Sequence, residues 1–150
     1  MTQAPNTQSA GRQSWMSTLA KAPSQRLEAL FPDLPPHSFL RPPEVGAVMV
    51  QGRVGGTGAP FNLGEMTVTR CSVQLESGAV GHAVVQGRDK GHAARAAVLD
   101  ALLQGEGAKE VLATVIAPLQ MQAMAQRQKR AEKAAATKVD FFTMVRGEDQ

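Results

Sequence analysis

Residues 79–104 read AVGHAVVQGRDKGHAARAAVLDALLQ, and this stretch changes from a strand pattern to a helix pattern within a few residues. Residues 79–86 favour a strand, Gly87 interrupts the pattern, and Asp89 is a favourable N-cap for a helix that runs to about Gln104. The predicted helix turns a small, apolar face inward, made of Ala94, Ala97, Val98, Ala101 and Leu102. A strand that leads directly into a buried helix predicts an α+β protein.

Two further strands are predicted upstream of this stretch. Residues 45–53 are apolar on both faces, so we expect them to form a central strand. In residues 65–75 the apolar alternation changes phase at Thr69 and Arg70, which predicts a β-bulge that re-aims Arg70. Ser77 and Gly78 are expected to form a two-residue hairpin turn into the strand at 79–86.

The flanking segments predict helices at both ends of the chain. Residues 14–22 and 24–31 have helical spacing, and the segment 32–44 contains five prolines in thirteen residues, so we expect it to be extended. Residues 109–116 predict another helix, and Pro118 suits the first turn of a long one that ends near residue 137. We therefore expect a small antiparallel sheet of three to four strands, packed by N-terminal and C-terminal helices.

The chain is predicted to hold one domain of about residues 12–147, between a disordered tail at 1–11 and a short end at 148–150. Its 150 residues carry a net charge of +3, which suits an anionic ligand or partner. Cys71 is the only cysteine and is expected to be a small core residue. No metal-ligand spacing is found, and no signal peptide or membrane-spanning run, so we expect a cytoplasmic protein without a metal.

Two segments are candidates for binding an anion. Residues 52–70 read GRVGGTGAPFNLGEMTVTR, and their glycines suit either a phosphate-binding backbone nest or an ordinary turn between strands. The segment lacks the Lys-Ser/Thr of a phosphate-binding loop and the following helix of a dinucleotide fingerprint. At QGRDKGHA the helix start beneath Asp89 also favours an anion, with Arg88, Lys90 and His92 around it. Glu65 and Asp89 are candidates for holding a metal ion bound to phosphates, but a solvated Glu65 and an Asp89 that only caps the helix are the favoured alternatives.

The C-terminal region offers a different kind of surface. Its basic residues suit nucleic acid, but the absence of stacking aromatics favours a solvated helix face. The FFTMV segment that follows needs a cover, for which a partner surface is the natural candidate. The basic residues are Arg127, Lys129, Arg130, Lys133 and Lys138.

The motifs GRVGGTGAPFNLGEMTVTR, GHAVVQGRDKGHA and VDFFTMVRGE, taken together, resemble the PhnG family. The helical QSWMSTLA and the IAPL at 116–119 are similar as well, so the resemblance spans residues 12–147. It implies an accessory subunit of the bacterial carbon–phosphorus lyase system, which uses phosphonates. Such a subunit works with the H, I and L proteins to join an alkylphosphonate to the ribose of Mg-ATP, with release of adenine.

The resemblance also implies partners and a ligand class. The partners are the H, I and J subunits of a symmetric core complex with two copies of this chain, the I subunit being the most direct contact. It implies no catalytic residue and no cofactor bound by this chain, since Mg-ATP is a substrate of the complex. The alternatives are a structural organiser without ligand contact and, more remotely, a nucleic-acid-binding module.

Two sets of candidate residues follow. In the expected phosphate or phosphonate site, Arg70 and Arg88 bind the oxyanion, the glycine backbone caps it, and Lys90 and His92 line the rim. The complete set is Arg53, Gly55, Gly56, Thr57, Gly58, Arg70, Arg88, Lys90 and His92. The candidate partner contacts are Phe141, Phe142, Met144, Val145 and Arg146.

Overall fold

The computed structural model describes residues 7–139, with side-chain surroundings from residue 11 onward. A 3-10 turn, Val54–Gly56, joins the first two strands, and a π-helical segment, Leu112–Ile116, joins the last two helices. The elements are α1 (Thr7–Lys21), α2 (Ser24–Leu30), β1 (His37–Arg53), β2 (Pro60–Leu75), β3 (Val80–Gln86), α3 (Lys90–Leu102), α4 (Ala108–Val111) and α5 (Ala117–Ala136).

The three strands form one antiparallel sheet in the order β1-β2-β3. Helix α3 packs on one face of the sheet, and α1 and the C-terminal helical segments complete the core around it. Fully buried side chains from β2, β3 and α3 form its centre, among them Val73, Val85, Val98 and Leu99. The α+β class and the packing of the sheet by helices from both chain ends are confirmed.

The prediction that residues 45–53 form a central strand is wrong. Strand β1 is at the edge of the sheet, and it begins at His37, so the extended proline-rich segment is its first part. Its pairing with β2 shifts register between Phe39 and Arg41 and again between Arg41 and Glu44. Pro42 and Pro43 lie in the second irregularity, where the missing N–H groups are tolerated at a sheet edge.

The predicted bulge at Thr69 and Arg70 is also absent, because β2 pairs with β3 in continuous register from Val68 to Gln74. Thr69 itself occupies the core face, in step with Cys71 and Val73. Its Oγ1 donates to the carbonyl oxygen of Gly87 at 2.8 Å, so the buried hydroxyl has a partner. The apparent change of phase in the apolar alternation therefore arises because a polar residue, Thr69, occupies a core position.

Cys71 is buried in the core of the protein, as expected, and burial raises the pKa of its thiol to about 11.

The turn between β2 and β3 contains three residues rather than the predicted two. Leu75 and Ala79 are hydrogen-bonded across it, with Glu76, Ser77 and Gly78 between them. Gly78 has a φ of 86°, which is the left-handed conformation that a three-residue hairpin loop requires of its last residue.

Helix boundaries differ from the predictions mainly at the N-terminal end. Helix α1 begins at Thr7 rather than at residue 14, so residues 7–11 of the predicted tail are helical. From Ala108 to Ala136 the chain is helical throughout, and its π-helical segment ends two residues before Pro118. Proline has no N–H to donate to the preceding turn, and wider turns are one way in which a helix absorbs that loss.

A buried carboxylate on α3 holds α1 against the sheet. Asp100 has no exposed surface and accepts hydrogen bonds from Arg12 Nη2 at 2.8 Å and Trp15 Nε1 at 2.9 Å. The main-chain N–H of His82 on β3 donates to the same carboxylate at 2.9 Å. One side chain thus joins α1, α3 and β3, and these bonds compensate the cost of burying its charge.

Candidate functional site

The predicted N-cap of α3 is confirmed, and its geometry satisfies the helix start from within the chain. Asp89 Oδ1 accepts the main-chain N–H of His92 at 2.8 Å, and Oδ2 accepts from Ser24 Oγ at 2.6 Å. The Ser24 hydrogen bond, followed by the His92 N–H, lowers the pKa of Asp89 below its ordinary value of 3.8. The negative group at the positive end of this helix dipole is therefore the chain's own carboxylate.

We expect Asp89→Ala to lower the free energy of unfolding by about 1 kcal/mol, as loss of a helix cap does, and Asp89→Asn to lower it much less. Because folding lowers the Asp89 pKa, its carboxylate contributes stability above pH 3.8, and this contribution is lost as the pH falls. Urea titrations at neutral pH measure both variants. Glu106→Ala, at another exposed carboxylate, is the control, and an Asp89→Ala variant as stable as this control contradicts the prediction.

His92 does not line a surface in the structure. Its side chain is buried, and Nε2 lies 2.8 Å from the carbonyl oxygen of Leu19 in the last turn of α1. The residue therefore connects α3 to α1, and a role at the rim of an anion site is not supported by its position. Lys90 is exposed at the same helix start, as expected.

The glycine-rich segment forms the tip of the hairpin between β1 and β2. Gly55 and Gly56 have φ values of 59° and 83°, which glycine adopts without strain. The N–H groups of Thr57 and Gly58 both donate to the carbonyl oxygen of Val54, and Arg53 Nη1 donates to that of Gly58 at 3.1 Å. Several donors expected for a phosphate nest are therefore used within the turn itself.

This tip is remote from Arg70 within one chain. Arg70 is opposite Glu44 on β1, and nine residues of strand separate Glu44 from Arg53. At about 3.3 Å per residue, the glycine turn lies about 30 Å from Arg70. The predicted constellation of glycines and arginines is thus not assembled by this chain alone.

Arg70 and Arg88, by contrast, are on the same part of the sheet. The Arg70 guanidinium lies over Gly46, whose absent Cβ would be 2.8 Å from Nη2. Gly46 is on β1, so the guanidinium is directed across the sheet toward the edge strand, at the level of the Val68–Gln86 pair that ends β3. Arg70 is opposite Val84 on β3, and Arg88 follows four residues later, beyond the end of the strand at Gln86 and the bend at Gly87, whose φ is 92°. Both side chains are without a hydrogen-bond partner among residues 11–139.

The hairpin beyond the helices, residues 45–65, is called the hairpin arm here. Its exposed apolar side chains are Val45, Met49, Val54, Phe61 and Leu63, with exposed fractions of 42% for Phe61 and 66% for Leu63. Two strands without a packed face are marginally stable in water, and several large apolar side chains exposed on one arm are typical of a surface that a partner covers.

Sequence reasoning missed Asp100, although a carboxylate inside the apolar run AVLDALL was a usable signal for a buried polar contact. The predicted tail contacts at residues 141–146 lie outside the described residues. Within residues 7–139, no helix is long and apolar enough to cross a membrane. The same part of the chain holds no group of three or more His, Cys, Asp or Glu residues arranged for a metal ion.

These features define an α+β protein with an exposed two-stranded arm and with two arginines, Arg70 and Arg88, on β2 and just after β3. Residues 10–147 match the family model described as phosphonate metabolism protein PhnG, and the chain belongs to that family. A relative from Rhizobium meliloti (strain 1021) is 43% identical over 143 residues, which is 93% of this chain and 92% of the relative. That relative is named alpha-D-ribose 1-methylphosphonate 5-triphosphate synthase subunit PhnG.

Proposed function

We propose that this chain is an accessory subunit of a cytoplasmic complex that synthesises α-D-ribose 1-methylphosphonate 5-triphosphate. With the H, I and L proteins it would support transfer of the ribose 5-triphosphate group of Mg-ATP to an alkylphosphonate, and adenine would be released. The observation that carries the proposal is the match over nearly the whole chain to a relative that bears this subunit name. Mg-ATP is a substrate of the complex in this account, and the chain itself contributes no cofactor.

Arg70 and Arg88 are proposed to contact phosphate or phosphonate oxygens of that substrate. Two arginines that have no partner among residues 11–139 suit a ligand with several oxyanion groups, since each can bind oxygens bidentately. Glu44 faces Arg70 across the strands, but within the described residues the two side chains make no ion pair. The guanidinium of Arg70 therefore remains available to a ligand. Lys90 extends the positive charge of this face at the start of α3.

The hairpin arm is proposed as the principal contact with the other subunits, the I subunit first among them. Its glycine tip, Arg53–Gly58, then serves the interface rather than capping the arginines of its own chain. In the proposed complex, two copies of this chain assemble symmetrically with the H, I and J proteins, and each arm lies in a subunit interface. The segment at 141–146 is proposed as a second contact, as its apolar composition indicates.

Replacing Phe61 and Leu63 by serine is expected to abolish assembly without changing the stability of the isolated chain. Both side chains are exposed, so little folding energy is lost, whereas apolar anchors dominate the binding energy of interfaces. Affinity for the reconstituted H, I and J proteins should fall at least about 100-fold. Leu112→Ser, at an exposed apolar residue outside the arm, is the control. Assembly of the double variant with unchanged affinity contradicts the assignment of the arm.

A structural organiser that touches no ligand is the second candidate, and the capped helix start together with the apolar arm favours it. Adenine release from Mg-ATP and methylphosphonate tests whether this chain takes part in the synthase at all. Release that requires this chain supports membership in the synthase, and undiminished release without it rejects that role. Variants of Arg70 and Arg88 then separate ligand contact from organisation.

A further inference from the structure

A row of three polar side chains crosses the sheet on the face away from α3. Ser72 on β2 is opposite His82 on β3 and opposite Arg41 on β1. Directly opposite residues of antiparallel strands point to the same face, and Ser72 alternates with the core residues Cys71 and Val73. The row Arg41–Ser72–His82 therefore lies on the open face of the sheet.

The serine and the histidine of this row are already joined. Ser72 Oγ lies 2.8 Å from His82 Nδ1, and both side chains are accessible to solvent. When Nδ1 carries the proton it donates to Ser72 Oγ, and the serine hydroxyl proton is then free to be donated outward. In that tautomer the pair presents a hydroxyl donor whose direction is set by the imidazole.

The backbone beneath the row is fixed by buried contacts. The main-chain N–H of His82 donates to Asp100, which Arg12 and Trp15 also bind, so β3 is anchored at this position. Arg41 lies between two register shifts of β1 and directly before Pro42, whose ring restricts the backbone. The row is therefore held on a restrained part of the sheet rather than on a flexible loop.

Arg41 supplies the charge that the serine and histidine lack. It is exposed and, among residues 11–139, its guanidinium has no hydrogen-bond or ion-pair partner. The nearest carboxylate along β1 is Glu44, which pairs with Arg70, two residues from Ser72 on β2. An arginine that pairs with Ser72 across the strands can bring fork-like donors to a tetrahedral oxyanion at the hydroxyl and the imidazole.

We propose that Arg41, Ser72 and His82 form a second oxyanion site, specific for a phosphate or phosphonate group. The Arg41 guanidinium binds two oxygens of the group, and Ser72, directed by His82, donates to a third. This site is distinct from the one at Arg70 and Arg88, because the Arg70 guanidinium points along the sheet in the opposite direction, toward Gly46. The proposal rests on the proposed function only for the choice of ligand class, since a substrate with two anionic ends would engage two such sites.

Imidazole NMR signals of the full chain test this site without the complex. The chain has three histidines, and two serve as internal references: His92 is buried, and His37 Nδ1 contacts the carbonyl oxygen of Pro35. Titration with methylphosphonate or inorganic phosphate, at constant ionic strength set with chloride, should shift the His82 signals alone. A dissociation constant on the order of 1 mM is expected for so open a site. A preference between the two probes identifies which group the site is suited to.

Three variants decide the outcome. Arg41→Gln and Ser72→Ala should each weaken the His82 response about tenfold or more, whereas Arg26→Gln, at an exposed arginine of α2, should not. Arg88→Ala should also leave it unchanged, so failure of the Arg70–Arg88 site and failure of this site give different results. No saturable shift at His82, equal shifts at all three histidines, or an unchanged response in Arg41→Gln overturns the proposal.

Discussion

Replacing Gly81 by alanine is expected to prevent the chain from folding. A Cβ at this position would lie 1.9 Å from the carbonyl oxygen of Ala97 and 2.6 Å from the N of Ala101. Both atoms belong to the backbone of α3, which cannot move aside without leaving the sheet. Because β3 and α3 pack through this contact, the loss of several kcal/mol is a large share of the stability of a small domain.

The matched control for this substitution is Gly64→Ala. Gly64 is also a strand glycine, but its added Cβ would meet nothing within 4 Å and its φ is not positive. Circular dichroism and urea denaturation should show native-like stability for Gly64→Ala and no cooperative transition for Gly81→Ala. A cooperative, native-like transition in Gly81→Ala contradicts the close approach of β3 to α3.

Replacing Asp100 by alanine is expected to cost about 3–5 kcal/mol of folding free energy, the range for removing one partner of a buried ion pair. The substitution leaves the Trp15 indole N–H and the His82 main-chain N–H without an acceptor, and it leaves Arg12 without its carboxylate. Arg12→Ala should cost clearly less, because the Arg12 side chain is 35% exposed and the two remaining donors still satisfy Asp100.

Trp15 allows the same prediction to be followed locally, since it is the only tryptophan of the chain. In Asp100→Ala the Trp15 emission should shift to the red, and the indole should become accessible to quenching by acrylamide before global unfolding, as α1 detaches. Glu110→Ala, at an exposed carboxylate, is the control for chemical denaturation. If Asp100→Ala retains both the Trp15 emission of the unsubstituted chain and its unfolding midpoint, α1 is held by other contacts.

The parts of the fold that depend on local patterns could be predicted from the sequence. The cap at Asp89, the inward face of α3 and the three strands each follow from short-range preferences, and the structure confirms them. Boundaries were less accurate because tertiary contacts extend elements beyond their local signals. Helix α1, for example, is held by Trp15 and Arg12 through a carboxylate that is 85 residues or more away in the chain.

Strand order and register could not be predicted from local patterns. Apolar residues on both faces of residues 45–53 indicated a central strand, but the same composition also suits an arm that a partner covers. Thr69 gave the appearance of a bulge because a polar residue interrupts the apolar alternation at this position. Its hydroxyl can be buried because it donates to the carbonyl oxygen of Gly87, and only the register between β2 and the end of β3 creates that contact.

The same distinction applies to the candidate site. Arg70 and Arg88 were proposed from their neighbouring motifs, and the structure places Arg70 on β2 and Arg88 just beyond the end of β3. The glycine turn was grouped with them because it is close in sequence, yet two long strands carry it about 30 Å away. Arg41 and Ser72 had no sequence signal at all, since only the pairing of three strands brings them into one row with His82.

The central claim, that this chain contacts the anionic substrate, is tested most directly by adenine release in the reconstituted complex with Arg70→Ala, Arg88→Ala and the corresponding lysine variants. Arg127→Ala on α5 is the charge-matched control, and assembly of each complex is verified by size-exclusion chromatography. The account predicts intact assembly with kcat/KM lowered about 10–100-fold in the alanine variants and only partly restored by lysine, which binds oxyanions less specifically. Full activity of Arg70→Ala and Arg88→Ala in assembled complexes would contradict it and leave the chain as a structural organiser.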